Sequence, residues 1–174
     1  YAGYLEQRGA SSQNKYAIQT VTNATSGNGW NFSSFIRRIN IMLSHVDDSN
    51  MTEEEKNHWK SVGYFFHSFW YMELIDRFGD VPWVDTPLDD TSEEAYGSRM
   101  PRLEVADKVL DRLLWAESNI GNTAIYEKKD GSNTINQNCV RAAISRFTLR
   151  EGTWRKYHEL GSYDRYFTEC KRVS

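Results

Sequence analysis

The sequence predicts an all-α fold, on three observations. Apolar residues recur at three- and four-residue spacing in successive stretches, helix start and stop signals bracket those stretches, and no segment of comparable strength alternates apolar and polar residues as a strand does. Residues 1–29 show no helical period, and Gln13-Asn14 and the run from Asn23 to Gly29 read as loop. The expectation is a single helical region over residues 1–174, with an irregular N-terminal segment at 1–29.

The first helix is expected to start between Trp30 and Ser33. Phe32, Phe35, Ile36, Ile39, Met42, Leu43 and Val46 fall within an arc of about 120° at ~100° per residue, which is one buried stripe. Thr52-Glu53-Glu54-Glu55 is a capping box, and its three acids suit the positive end of a helix dipole. The helix it starts should run to Phe78, where Gly79 offers a left-handed stop and Pro82 prevents resumption. From Gly63 onward its aromatic and aliphatic residues surround the axis on nearly every side, so this helix is expected to be central and covered all round.

Residues 79–100 read as a long connection with Pro82, Pro87 and an acidic run from Asp89 to Glu94. Pro101 suits the first position of the next helix, because its missing amide hydrogen costs nothing there. Leu103, Ala106, Val109, Leu110, Leu113, Leu114 and Ile120 form that helix's apolar face, and Gly121 closes it. Lys128 to Asn133 reads as a turn or loop. Asn136 can cap a helix carrying Val140, Ala143, Ile144 and Phe147, which ends or bends near Gly152. Tyr163 to Val173 begins a further helical stretch.

Composition bounds the function. Of 174 residues, 24 are acidic and 21 are Lys or Arg, a net charge of −3, which does not fit a basic nucleic-acid binder. Hydrophobic residues make up 39% and aromatic residues 14%, so the chain is apolar-poor but ring-rich. Large rings fill cores and also stack on planar or sugar-like faces. Cys139 and Cys170 form no C-x-x-C pair, which argues against zinc or redox chemistry. No apolar run reaches the ~20 residues of a membrane span.

Catalytic signals are sparse. His45, His58, His67 and His158 show no metal-binding spacing, and no cofactor requirement is expected. His67 reads as a hydrogen-bonded core imidazole, and Asp76 and Asp80 at a helix end read as structural. The positive feature is aromatic residues in loops or at helix starts: Tyr16, Trp30, Trp83 and Tyr96. A sugar's apolar face stacks on such rings while Asn and Asp satisfy its hydroxyls. Asn28 and Asn31 lie beside Trp30, and Asp80 and Asp85 lie around Trp83. The candidate carbohydrate contacts are therefore Trp30, Asn28, Trp83 and Tyr96. The simpler role of Trp30 and Trp83 is to staple helix ends to the core.

Several motifs, in order, resemble the SusD/RagB family of outer-membrane nutrient-binding lipoproteins. They are Trp30-Asn31-Phe32 through Ile39-Asn40, Gly63-Tyr64-Phe65-Phe66-His67-Ser68 through Phe78-Gly79-Asp80-Val81-Pro82-Trp83, Arg99-Met100-Pro101-Arg102-Leu103, and Ala142-Ala143 through Gly152-Thr153-Trp154-Arg155-Lys156-Tyr157. Tyr64 stands where the family commonly has Glu, and His67-Ser68 where Arg-Ala is common. The resemblance implies tetratricopeptide-like helical hairpins with long irregular loops, this chain being a portion of a larger domain whose lipid anchor it does not carry, and one that folds marginally alone. It implies a non-enzymatic protein on the cell outer membrane that captures oligosaccharides or polysaccharides for import by a SusC-like TonB-dependent transporter. The alternative is a helical protein–protein interaction module without glycan binding. A glycoside hydrolase would need two opposed carboxylates in a cleft.

Overall fold

The computed structural model describes residues 33–89, 92 and 97–174. They form α1 (Ser33–Val46), α2 (Glu53–Phe78), α3 (Arg102–Asn119), α4 (Thr123–Asp130), α5 (Gln137–Tyr157) and α6 (Tyr163–Val173). Among the described residues the only extended pairing is an isolated bridge between Val81 and Met100, so the all-α expectation holds. The irregular segment 1–29 and the tip of the acidic run lie outside the described residues.

Local signals start and stop most of these helices. Thr52 Oγ1 accepts from the Glu55 amide at 3.3 Å and Glu55 Oε2 accepts from the Thr52 amide at 3.1 Å, closing the capping box. Gly79, at φ +70°, ends α2 and donates its amide to the Ile75 carbonyl at 3.1 Å. Asn136 Oδ1 accepts from the Cys139 amide at 3.1 Å and caps α5.

Neighbouring helices pack in order, α1 on α2, α2 on α3, α3 on α5 and α5 on α6. Their shared core contains Ile36, Tyr71, Leu74, Ile75, Val105, Val109, Leu110, Leu113, Val140, Ile144, Phe147 and Tyr166. Burying each large apolar side chain contributes about 1.5–3 kcal/mol. A polar lock joins α3, α5 and α6. Glu151, fully buried, accepts from Arg102 Nη1 and Arg155 Nε, both at 2.9 Å. Arg155 Nη2 also donates to Asp107 Oδ1 and the Tyr166 hydroxyl oxygen, each at 3.0 Å.

Four expectations need correction. Helix α2 touches α1, α3 and α5, but it is not covered all round: Phe66 is 42% and Phe69 43% exposed. Its deeply buried positions include small or polar residues, Ser61, Gly63, His67 and Ser68, and two of its rings face outward. Pro101 is the N-cap of α3 and not its first residue. With ψ at 137° it lies outside the helix, and its carbonyl accepts from Glu104 and Val105. Lys128 to Asp130 belong to α4, a short helix capped by Asn122 and held by contacts distant in sequence: Tyr126 stacks on His58 with centroids 3.5 Å apart, and Lys129 pairs with Glu55 at 2.7 Å. Helix α5 does not end at Gly152 but continues to Tyr157, and the glycine is needed there for close packing. A Cβ at that position would stand 2.9 Å from the Phe167 ring of α6.

Candidate functional site

The connection between α2 and α3 is pinched at its base. Val81 and Met100 exchange amide-to-carbonyl hydrogen bonds of 3.3 and 2.9 Å, and Asp80 Oδ1 accepts from the Arg102 amide at 2.8 Å, which tethers the start of α3. A buried loop must find partners for its backbone polar groups. Here side chains from two helices supply them. The Tyr71 hydroxyl donates to the Pro82 carbonyl at 2.9 Å and accepts from the Val84 amide at 2.7 Å. Asn40 Nδ2, from α1, donates to the Val84 and Thr86 carbonyls at 3.1 and 3.0 Å. His67 Nε2 donates to the same Val84 carbonyl at 2.9 Å while its Nδ1 accepts from Arg112 Nη1 at 2.8 Å.

Electrostatics follow from that burial. Desolvation, helped by the Arg112 charge, pushes the His67 imidazole down to about 3, so it is neutral near pH 7. Burial raises the Tyr71 phenol, keeping it a hydroxyl donor. The core-imidazole reading of His67 therefore holds. Of the two acids flanking the end of α2, Asp80 caps α3 and Asp76 pairs with Arg150.

This clamp fixes Trp83 and Asp85. The Trp83 indole donates to Asp85 Oδ2 at 3.0 Å. Its ring lies 4.4 Å from Tyr71 and 5.1 Å from His67 between centroids, and the Arg112 guanidinium sits 4.8 Å from it. Trp83 is thus half-buried and staples the loop to α2 and α3, the simpler of its two expected roles. Asp85 stays exposed beside it, whereas Asp80 faces the start of α3. Asn28, Trp30 and Tyr96, with Tyr16 and Asn31, lie outside the described residues.

Next to the clamp is a cleft of about 230 Å³ between α1, α2 and the loop. Ser44, Asp47, Lys60, Tyr64, Asp85 and Thr86 line it, a mixture of donors and acceptors around one ring. That volume falls below the ~300–1,000 Å³ of drug-sized sites and suits one sugar ring. Sequence reading missed this set because the residues come from three separate stretches. It also missed Trp154 and Tyr157 on α5, which are 42% and 83% exposed. Their three-residue spacing was the available signal. Among the described residues no group of three His, Cys, Asp or Glu side chains could hold a metal ion.

A family model described as "Starch-binding associating with outer membrane" (SusD-like) matches residues 4–149. A curated relative, SusD-like protein P2 of Formosa agariphila, is 29% identical over 90 residues, covering 52% of this chain and 18% of its own. A solved SusD-like protein from Bacteroides fragilis superposes with a TM-score of 0.68 at 18% identity, over 95% of this chain and 30% of that one. A structure titled laminarin binding SusD-like protein gives 0.57 at 20% identity, over 70% of this chain and 26% of that one. This chain therefore spans about a fifth to a third of the length of these relatives.

Proposed function

The chain belongs to the SusD-like family, and from that premise we propose that it serves in capturing oligosaccharides at the outer membrane, holding them unchanged for import by a SusC-like TonB-dependent transporter. The observation that carries this reading is the family match over residues 4–149, under a description that names starch binding and the outer membrane. The laminarin-binding neighbour supports a polysaccharide ligand. Membrane association through a lipid anchor in the full-length protein is part of the same reading, as the family's description implies an outer-membrane location.

On this chain the cleft beside the clamp is the proposed contact. Asp85 can accept sugar hydroxyls, Lys60 and Asp47, paired with each other, offer a donor and an acceptor beside it, the Ser44 hydroxyl, which donates to the Ile41 carbonyl, can accept, and Tyr64 offers a ring. Trp83 acts from behind: it holds Asp85 in place through the indole hydrogen bond. Asn28, Trp30 and Tyr96 remain proposed contacts on chemical grounds, as rings and an amide suited to a sugar. Binding without turnover fits relatives described as carbohydrate-binding.

Calorimetric titration of the full-length protein against starch, laminarin and other neutral glucans tests the reading. Saturable heat with at least one glucan, reduced by Asp85→Ala, is expected. Silence across the panel, with no transporter copurifying, would overturn it. Copurification without glycan binding would favour the interaction-module alternative.

A further inference from the structure

Helix α5 has a second solvent-facing feature away from the clamp. Its core side carries Val140, Ile144, Phe147 and Glu151. On the other side lie Arg146, Leu149, Arg150, Trp154 and Tyr157, a stripe at helical spacing about 16 Å long. An ordinary solvated face would be filled with mixed charges. This one has exposed rings and arginines, and it borders a groove of about 590 Å³.

The groove's polar groups are unbalanced. Arg102, Arg146 and Arg150 line it against a single carboxylate, Asp76. Asp76 is already paired with Arg150, and Arg102 is held by Glu151 with its guanidinium 4.7 Å from the Trp154 ring. Arg146 is exposed and has no hydrogen bond or ion pair among the described residues. A guanidinium donates and cannot accept. A neutral sugar, whose hydroxyls must both donate and accept, would find many donors here and few acceptors. A sugar bearing carboxylates supplies acceptors alone, matches the planar fork of Arg, and still has an apolar ring face for Tyr157.

We propose that the α5 groove binds an acidic oligosaccharide, one carrying hexuronate residues, with Arg146 taking a carboxylate and Tyr157 stacking on a sugar ring. The inference rests on the glycan-capture reading but uses a different surface from the cleft beside the clamp.

The test is titration of the full-length protein with oligogalacturonate, its methyl ester and laminari-oligosaccharide, alongside Arg146→Gln, Tyr157→Ala and the control Arg77→Gln, a half-exposed arginine on α2. Oligogalacturonate should bind and weaken as salt rises. Arg146→Gln and Tyr157→Ala should each cut affinity about tenfold, while Arg77→Gln changes it less than about twofold. Esterification should abolish binding. Binding of laminari-oligosaccharide alone, unaffected by Arg146→Gln, would overturn this inference and leave glycan capture standing. Equal losses from Arg146→Gln and Arg77→Gln would reduce the effect to diffuse charge and overturn it as well. Tighter binding of a sulfated glycan or an acidic peptide through the same residues would replace the ligand class. Silence toward every sugar would remove both readings.

Discussion

Arg112 donates to Nδ1 of His67 at 2.8 Å, and that one contact decides the tautomer of a buried imidazole. With Nδ1 accepting, Nε2 must carry the hydrogen that reaches the Val84 carbonyl at 2.9 Å. A helix α3 cation thereby orients a helix α2 side chain, which in turn holds the loop that carries Trp83 and Asp85. Protonating His67 would place two cations in contact and remove the acceptor Arg112 uses.

Stability should consequently fall with pH in a defined window. The His67 pKa is depressed from 6.5 to about 3 in the folded protein, so the unfolded state binds more protons as pH drops below 6.5. The contribution is complete above about pH 6.5 and is lost progressively toward pH 3, amounting to about 2 kcal/mol by pH 5. Burial lowers His58 in the same sense. Urea unfolding at pH 7 and pH 5 should show the wild type losing about 2 kcal/mol more than His67→Gln over that interval. Parallel losses in both proteins would refute the assignment.

Asn40 is 1% exposed and spends both amide hydrogens on loop carbonyls. Asn40→Ala should cost about 2–3 kcal/mol, since the Thr86 carbonyl loses its donor and a small void opens. Hydrogen exchange at the Val84 amide should accelerate along with it. Unchanged exchange in a destabilised variant would mean that Asn40 supports α1 and not the loop.

Close approach makes Gly121 irreplaceable. A Cβ there would lie 2.2 Å from Cε2 of Tyr126, a ring that cannot retreat because it stacks on His58. Gly121→Ala should cost about 1–3 kcal/mol by thermal unfolding. In a Tyr126→Ala background the same change should cost almost nothing, and an additive double mutant would show that the strain lies elsewhere.

Removal of Glu151 should be severe. It is fully buried against Arg102 and Arg155, so Glu151→Ala leaves the Arg155 guanidinium poorly compensated, at a cost of about 3–5 kcal/mol. Glu151→Leu with Arg155→Met should cost clearly less than the sum of the two single changes. Additivity in denaturant titrations would indicate that the pair is not coupled.

Helix positions were legible in the sequence wherever a local signal coincided with an apolar stripe. Thr52 with Glu55, Gly79 and Asn136 each act on backbone within a few residues, so their spacing suffices to read them. Helix α4 was illegible because its eight residues carry one buried side chain, Tyr126, whose partner His58 is far away in sequence. The helix end expected near Gly152 is absent for a similar reason: α5 continues to Tyr157, and the Phe167 ring that requires glycine there belongs to α6. In the candidate site, Trp83 and Asp85 were readable as neighbours, and the indole hydrogen bond joins them. The cleft was hidden because Ser44, Lys60 and Thr86 meet only after α1, α2 and the loop have packed.

Affinity electrophoresis of the full-length protein through gels containing laminarin or starch, with reducing ends counted in the same gel, tests the central claim of capture without chemistry most directly. Migration should slow in at least one neutral-glucan gel, slow less for Asp85→Ala, and leave the number of reducing ends constant. Unretarded migration in every such gel, or a rise in reducing ends along the track of the protein, would contradict it.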